Sequence, residues 1–342
     1  MDLFSREQTI LRIIVEAYIE TASPVGSRYV ARHSGLDLSP ASIRNSMADL
    51  TEACYLEQPH TSAGRVPTGR AFRFYLDTIL QLRALSFDEE SFIQHRLGAP
   101  GLEISQLLQR AAKLLASLSR QVSMVLAPQH DTIRWQQIDF VRVRADTVMA
   151  ILVAQGGIIR QRLISVEEPL SQDDLIVLSN YLNTHFRDRP IHEVKTAILH
   201  ELQQVHGALD ALTARALQLA GATCLESDND RNLFVNGTSR ILDHPEFADL
   251  QNARELLSLL EERTRLYTLL DKISLDHPAV TLGNEFDDKQ LQDCSVVSAP
   301  YRLHGHPLGL VSVIGPMRMN YAKVVPVVDF TAQILTQLLQ SR

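Results

Sequence analysis

Arg44 and Asn45 are neighbours in the run Ser39-Pro40-Ala41-Ser42-Ile43-Arg44-Asn45. Arginine offers a bidentate fork to guanine, and asparagine a matched donor and acceptor to adenine, so the pair suits the reading of base edges. Gly64-Arg65, in a polar turn further on, could bring another guanidinium to a minor groove or to phosphate. All eight basic residues among the first 75 are arginines, whose planar fork fits phosphate and guanine. Eight acids accompany them, so this segment is neutral and the whole-chain charge of −7 falls on the remainder. Nucleic acid is therefore not held by bulk positive charge, although a local patch stays open.

Other constellations are thin. His304 and His306 flank a glycine in a turn, without carboxylate or cysteine companions for a metal. Ser227-Asp228-Asn229-Asp230 resembles part of a calcium loop but lacks the turn glycine and closing glutamate. Asp287-Asp288 reads as a helix cap or surface charge. No glycine-rich phosphate loop, HExxH or GxSxG pattern occurs, so no enzyme, metal or cofactor is expected. Cys54, Cys224 and Cys294 are far apart and odd in number, which speaks against a disulfide framework or a cysteine-built zinc site. The first twenty residues carry acids and arginines through their apolar positions, and no other run approaches ~18 uninterrupted apolar residues. The expectation is a cytoplasmic protein without membrane association.

The elements that would position Arg44 and Asn45 are short. Residues 5–20 form an amphipathic helix, with Ser5 as N-cap and Ile10, Ile13, Ile14, Ala17 and Tyr18 on one stripe. A second helix runs from Ser27 to about Ser34 and is closed by Gly35. Ser39 caps a third helix with Pro40 in its first position. Ile43, Met47 and Leu50 face inward there, which leaves Ser39, Ala41, Ser42, Arg44, Asn45 and Ala48 outward. Tyr55–His60 and Arg65–Pro67 make a hairpin around Ser62-Ala63-Gly64, with Gly64-Arg65 at its tip. Thr68 caps a following helix through Phe72, Tyr75, Leu76, Ile79 and Leu80. Three helices and a hairpin make a winged helix-turn-helix, whose third helix can enter a major groove. Winged helices that bind protein instead share this pattern.

With 342 residues, 45% hydrophobic and 21% charged, the chain is globular and long enough for two or three domains. Residues 102–126 read as one helix along Leu107, Leu108, Ala111, Leu114, Leu115, Leu118 and Val122, ended by Pro128. Strands follow at Ile133–Val143, Thr147–Ala154 (dense enough to be fully buried) and Ile158–Val166, with a turn at Gly156-Gly157. Ser171 leads into a helix to about Phe186. Near the end, Ser295–Leu303 and Leu308–Ile314 read as strands, and a last helix spans Tyr321–Leu339, its regular part starting only near Pro326. Between them, 190–277 is mostly helical with one strand-like piece, Asn232–Asn236. Its helix Phe247–Ile273 is apolar on more than one face, so it needs two partners or is an ordinary core helix.

Several stretches together resemble one family. They are Pro24-Val25-Gly26-Ser27-Arg28, Gly35 through Asn45, Met47-Ala48-Asp49-Leu50, and Tyr55 through Thr68. Gly237-Thr238-Ser239, Pro245-Glu246-Phe247, Ser295-Val296-Val297, Pro300-Tyr301, Gly309 and Gly315-Pro316-Met317-Arg318-Met319-Asn320-Tyr321 agree with them. The chain thereby resembles HrcA, the bacterial heat-inducible transcription repressors. The resemblance implies an α+β multidomain protein. Its parts would be a winged helix over 1–85, a GAF-like domain over 100–189 and 278–342, and an inserted, mostly helical dimerisation domain over 190–277. It also implies a homodimer on double-stranded DNA at an inverted-repeat, CIRCE-type operator of chaperone operons of the groE and dnaK type. The chaperonin GroEL would keep such a repressor active. Two positions depart from the family pattern: Cys54 stands where glycine is usual and Ser46 where an acid is common, and both could soften the end of the third helix.

From these readings Ala41, Ser42, Arg44 and Asn45 are expected to read bases. Ser27, Arg28 and Ser39 are expected to hold phosphates, and His60, Thr61, Ser62, Gly64 and Arg65 to serve the wing. Leu256, Leu257, Leu260, Leu266 and Leu270 are expected at the dimer contact. Arg318 could meet a ligand, a partner or an acidic neighbour. The rival reading is a regulator whose GAF-like domain senses a small molecule.

Overall fold

The computed structural model describes residues 5–60, 63–98, 103–127, 134–154, 158–166, 168–204, 216–221, 233–303 and 305–341. Pro128, Gly156-Gly157, Ser227–Asp230, Thr61, Ser62 and His304 lie outside them.

The N-terminal unit has three helices: α1 (Ser5–Thr21), α2 (Ser27–His33) and α3 (Pro40–Glu52). Ser5, expected ahead of the helix, is its first helical residue, and its carbonyl accepts from the Thr9 hydroxyl. Strands β1 (Leu56–Glu57) and β2 (Val66–Pro67) pair antiparallel as the hairpin. Thr68 caps α4 (Gly69–Phe74), which the sequence continues as helix but which widens into one π turn over Tyr75–Ile79. Helix α5 (Phe87–Leu97) has no counterpart in the sequence reading, yet Ser86 and Glu89 close a reciprocal capping box at its start.

Helix α6 (Ile104–Ser119) is shorter than expected. Arg120 turns left-handed at φ 56°, and Val122–Leu126 form β3 instead of a helical end. Every residue of β3 is buried, Ser123 included, and a buried stretch of five residues is too short to tell strand from helix by periodicity.

β3 lies in a five-stranded antiparallel sheet with β7 (Leu233–Asn236), β8 (Ala279–Leu282), β9 (Cys294–Leu303) and β10 (His306–Pro316), ordered β7-β3-β10-β9-β8. Alternation along the strands gives it two apolar faces. Val125, Val297, Val311 and Val313 join a core that also holds α1–α6 and the last helix, α11 (Tyr321–Gln340). Met124, Val296, Leu310 and Ile314 join a second core under α9 (Leu250–Glu261) and α10 (Arg263–Asp271). Gly309 lets β10 approach closely: a Cβ there would lie 2.3 Å from the Leu126 carbonyl oxygen and from the Tyr301 hydroxyl, which donates to that oxygen at 2.7 Å.

Pro326 sits inside α11 rather than near its start. A proline cannot donate to the carbonyl four residues back, here that of Ala322. That oxygen instead accepts from the Arg83 N–H at 3.3 Å, so the link after α4 is tied to α11. Among the described residues α11 is the one helix long and apolar enough to cross a membrane, but its apolar side is committed to the core.

The other strands form a sheet of their own. β4 (Trp135–Arg144), β5 (Thr147–Ala154) and β6 (Ile158–Ser165) are antiparallel in that order, against α7 (Gln172–Phe186) and α8 (Ile191–Gln204). β5 was expected to be fully buried; its burial alternates, because helices cover one face alone. The expected division of the chain at 189 and 277 does not follow these sheets. β4–β6 do not join β9 and β10, whereas β7, placed by the sequence in the inserted segment, pairs with β3 through Leu126 and Leu233. The segment with its own core therefore runs from β4 through residue 220.

Candidate nucleic-acid interface

Helix α3 is pinned from below. Ile43, Met47 and Leu50 are buried, as the i, i+4, i+7 spacing expects, and Ser46 joins them. Ser46 bonds the Ser42 carbonyl at 3.5 Å and sits mid-helix, so it does not soften the helix end; an acid there would bring a charge into the core. At the other end Ser39 caps the helix, its Oγ accepting from the Ser42 N–H at 3.2 Å and lying 3.1 Å from the Ser42 hydroxyl. Pro40 occupies the first turn, where no N–H is needed. The opposite face carries Ala41, Ser42, Arg44 and Asn45, all exposed.

α2 packs beside α3 and buries Val30. Ser27 is half-buried at its first position and Arg28 is exposed. Tyr29, also exposed, stacks on His33 with ring centroids 4.1 Å apart. The outward side of this helix is thus polar and aromatic.

The hairpin differs from expectation in one respect. Gly64 and Arg65 are not at its tip: Arg65 forms a two-hydrogen-bond bridge with Val25, both at 2.9 Å, which ties the α1–α2 link to the hairpin base. A Cβ on Gly64 would lie 2.4 Å from the Val25 carbonyl oxygen, so the bridge needs glycine. The Arg65 Nε donates to Thr51 Oγ1 at 3.1 Å, and Thr51 in turn donates to the Met47 carbonyl. Thr51, which no sequence pattern singled out, thereby joins the hairpin base to the end of α3. The tip begins at exposed His60, whose carbonyl accepts from the Ala63 N–H, and Thr61 and Ser62 fall outside the described residues.

Cys54 adopts φ 59°, the left-handed conformation that glycine favours. Its N–H bonds the Thr51 carbonyl and the Tyr55 N–H bonds the Leu50 carbonyl, the paired pattern of a left-handed helix stop. The Thr68 hydroxyl and Arg70 hold the neighbouring carbonyls of Cys54 and Ala53.

Arg318, left open by the sequence, meets an acid. Its guanidinium pairs with Glu246 and donates to the Ile19 carbonyl at 3.2 Å. His244, close to this pair, has its pKa lowered by burial and by the Arg318 charge. Of the other polar candidates, Asp288 both caps residues 289–291 and pairs with Arg265 at 2.7 Å, and Asp287 pairs with Lys272. Among the described residues no group of three or more His, Cys, Asp or Glu is placed to hold a metal.

The leucines expected at a dimer contact are spent within the chain. Leu256, Leu260, Leu266 and Leu270 are all buried in the core beneath the five-stranded sheet, and Leu257 alone is half-buried. Both apolar faces of that helical pair are met by its own chain, the ordinary-core alternative. Among the described residues, no helix covers the outer face of the three-stranded sheet. Val141, Met149 and Leu163 form one cross-strand row, and Val153 and Ile159 continue it, with Val141, Ile159 and Leu163 exposed.

Comparison with known proteins agrees with the sequence signature. The family described as HrcA protein C terminal domain matches residues 105–325. A heat-inducible transcription repressor HrcA of Nitratidesulfovibrio vulgaris (strain Miyazaki F) is 47% identical over 99% of this chain and 97% of its own. That of Geobacter sulfurreducens is 40% identical over 99% of both chains. A solved structure described as a hypothetical protein, at 23% identity and covering 99% of both chains, shares the fold with a TM-score of 0.62. The family match and the near full-length identities show that the chain belongs to the HrcA family of heat-inducible transcription repressors.

Proposed function

We propose that this repressor reads an inverted-repeat operator upstream of chaperone operons, one half-site per protomer, through the exposed face of α3. The observation that carries this reading is the outward display of Arg44 and Asn45 on a helix fixed by three buried residues. Ala41 and Ser42 lie on the same face and share the base reading, and Ser27, Arg28 and the capped N-terminus of α3 hold phosphates. The hairpin around His60, Thr61 and Ser62 serves as the wing. Gly64 and Arg65 support it from its base.

A two-fold operator calls for a two-fold protein. The partner is a second copy of this chain, and the surface that supports it is the uncovered apolar face of β4–β6. The far edge of β4 is not open to pairing, because Gln172, Ser179 and Asn183 of α7 bond its backbone. The contact proposed is therefore through the face rather than through β4. In this reading the five-stranded sheet with its helical layers is the GAF-like domain, and β4–β6 with α7 and α8 the inserted dimerisation domain. Leu163→Glu is expected to convert the dimer to monomer in sedimentation equilibrium; an unchanged dimer would remove this face from the reading.

GroEL enters the proposal as the factor that returns the repressor to its active form, and the protein works where the chromosome is, in the cytoplasm. Ala22, Cys54, Arg120 and Asp188 all hold positive φ without being glycine, which supports a chain that folds by a narrow margin. The test is a gel-shift titration at one moderate salt concentration, with an inverted-repeat duplex and a scrambled one, each with and without chaperonin and ATP. The expected specificity ratio is ~10³ or more, with an active fraction that rises with chaperonin. Arg44→Ala is expected to cost ~1–3 kcal/mol and relax preference at one base position, while Arg28→Ala weakens all duplexes alike. Equal, weak binding to both duplexes would defeat the operator reading.

One observation favours the rival, a ligand-gated repressor. Among the described residues the Ser312 hydroxyl is buried at the sheet centre with no partner. Native mass spectrometry showing a bound small molecule on the purified protein would move that reading to first place.

A further inference from the structure

Two arginines tie the N-terminal unit to the body of the protein. On one side Arg73 of α4 forks onto Glu285, with Nε to Oε1 at 2.7 Å and a second, parallel contact. It also donates to the Val280 carbonyl of β8 at 2.9 Å. Glu285 is not idle without it, because its other contact is the Leu282 N–H at 3.0 Å. On the other side Arg318, just ahead of α11, forks onto Glu246 and caps α1 through the Ile19 carbonyl. Helix α1 has no basic residue in its own last turn, so the cation that its carbonyl end favours comes from the body. Side-chain exposure is 15% for Arg318 and 19% for Glu246, so this pair is screened by water far less than a surface pair.

The second tie leads to the reading helix by contiguous bonds. From Ile19 the chain turns through the α1–α2 link to Val25, which bridges Arg65. Arg65 reaches Thr51 at the end of α3. Phe72 and Tyr321 meet edge-on between the two ties, with centroids 6.5 Å apart.

We infer that Arg73 and Arg318 are positioning residues, which hold α3 at one angle to the body so that a dimer accepts one operator spacing. The inference rests on the dimeric operator reading above. Neither arginine is needed to touch DNA. Without the ties the shared core alone would set the angle of each N-terminal unit, less sharply, and half-sites at another separation would be reached at a lower cost. Each base pair added between half-sites turns one relative to the other by about 34°. A rigid dimer cannot follow that rotation.

The experiment measures affinity for inverted repeats with spacers changed by one and two base pairs, and for a single half-site, on the full-length protein. For the wild type a one-base-pair change is expected to cost at least as much as one mismatch, roughly five- to hundredfold. Arg73→Gln and Arg318→Gln should shrink that penalty several-fold while half-site affinity stays within about twofold of wild type, a pattern that loss of fold would not produce. Glu285→Gln is the milder second variant. It weakens the Arg73 fork yet leaves an oxygen for Leu282, and it should shift the penalty in the same direction. Variants that keep the full wild-type spacer penalty would overturn the inference while leaving the operator reading in place. A wild type indifferent to spacer would also overturn the inference alone, whereas one indifferent to repeat against scrambled duplex would overturn both.

Discussion

Cys54→Gly should make the protein more stable. Cys54 holds φ 59° directly after α3. A left-handed backbone costs a non-glycine residue about 1–2 kcal/mol. Glycine removes that strain but adds freedom to the unfolded chain, worth about 0.4–1 kcal/mol in the opposite direction. The thiol itself has little to lose, since it is exposed and its one contact is a 3.8 Å approach to the Glu52 carbonyl. The net gain is about 0.5–1 kcal/mol, read as a rise of about 1–3 °C in the melting temperature of the transition that includes the N-terminal unit.

The surrounding bonds need no rearrangement for this substitution. The N–H groups of Cys54 and Tyr55 bond Thr51 and Leu50, and the Thr68 hydroxyl holds the Cys54 carbonyl at 2.7 Å, all through backbone atoms of residue 54 and its neighbours. Two controls separate backbone strain from thiol chemistry. Cys54→Ala keeps the Cβ and the strain, so its stability should stay near wild type; Cys54→Val, β-branched, should lose stability outright. The assay is thermal and urea unfolding of the three variants under reducing conditions. If alanine stabilised as much as glycine, or glycine destabilised, the strain at position 54 would not be what limits this cap.

Three other sites give outcomes of the same kind. Gly64→Ala drives a Cβ into the Val25 carbonyl oxygen at 2.4 Å and should cost about 1–3 kcal/mol, with loss of operator affinity in gel shift as the Arg65 bridge opens. Tyr321→Phe removes a buried hydroxyl that bonds Ser295 at 2.9 Å and the Met317 carbonyl, and urea unfolding should show a loss of about 1–3 kcal/mol. His244 has a folded pKa below its ordinary value, from burial and from Arg318, with Glu246 and Asp243 acting in the opposite sense. The unfolded chain therefore takes up this proton first as pH falls through about 6.5, and stability drops from there toward the lower folded value. His244→Gln should flatten that part of the stability–pH curve, and an unchanged slope would assign it to other groups.

Where a residue's neighbours in sequence decide its place, the fold was legible. Ser39 and Pro40 start α3, and the spacing of Ile43, Met47 and Leu50 settles which side Arg44 and Asn45 present. Thr68 and Ser171 cap their helices for the same local reason. Long-range pairing was not legible. Val122–Leu126 is short and mostly apolar, which fits a helix end as well as the centre of a sheet; only the strands on either side of it decide. The leucines of α9 and α10 show the same limit, because an apolar surface in the sequence does not say whether its partner is the same chain or another. Arg65 failed for a different reason. Its partner Val25 lies before two helices, so nothing near it in sequence reveals that it forms the base of the hairpin rather than its tip.

The topology explains why the proposed dimer surface lies away from those leucines. Leu126 at the end of β3 and Leu233 at the start of β7 are register partners, so the chain from 127 to 232 leaves and re-enters the sheet through what would otherwise be one hairpin turn. Closing a long loop costs little more than closing a short one, provided the inserted chain folds on itself. This one does, around Trp135, Phe140, Leu152, Leu178 and Phe186. The five-stranded sheet is then left to bury both of its own faces, one under α6 and α11 and the other under α9 and α10. Among the described residues the insert has three strands with helices on one side, and nothing covers its second side. The surface able to join two copies and the helix able to read DNA therefore stand on different units. The body between them must hold its shape for one operator spacing to be selected, and the arginine ties at Glu285 and Glu246 are where that rigidity can be tested.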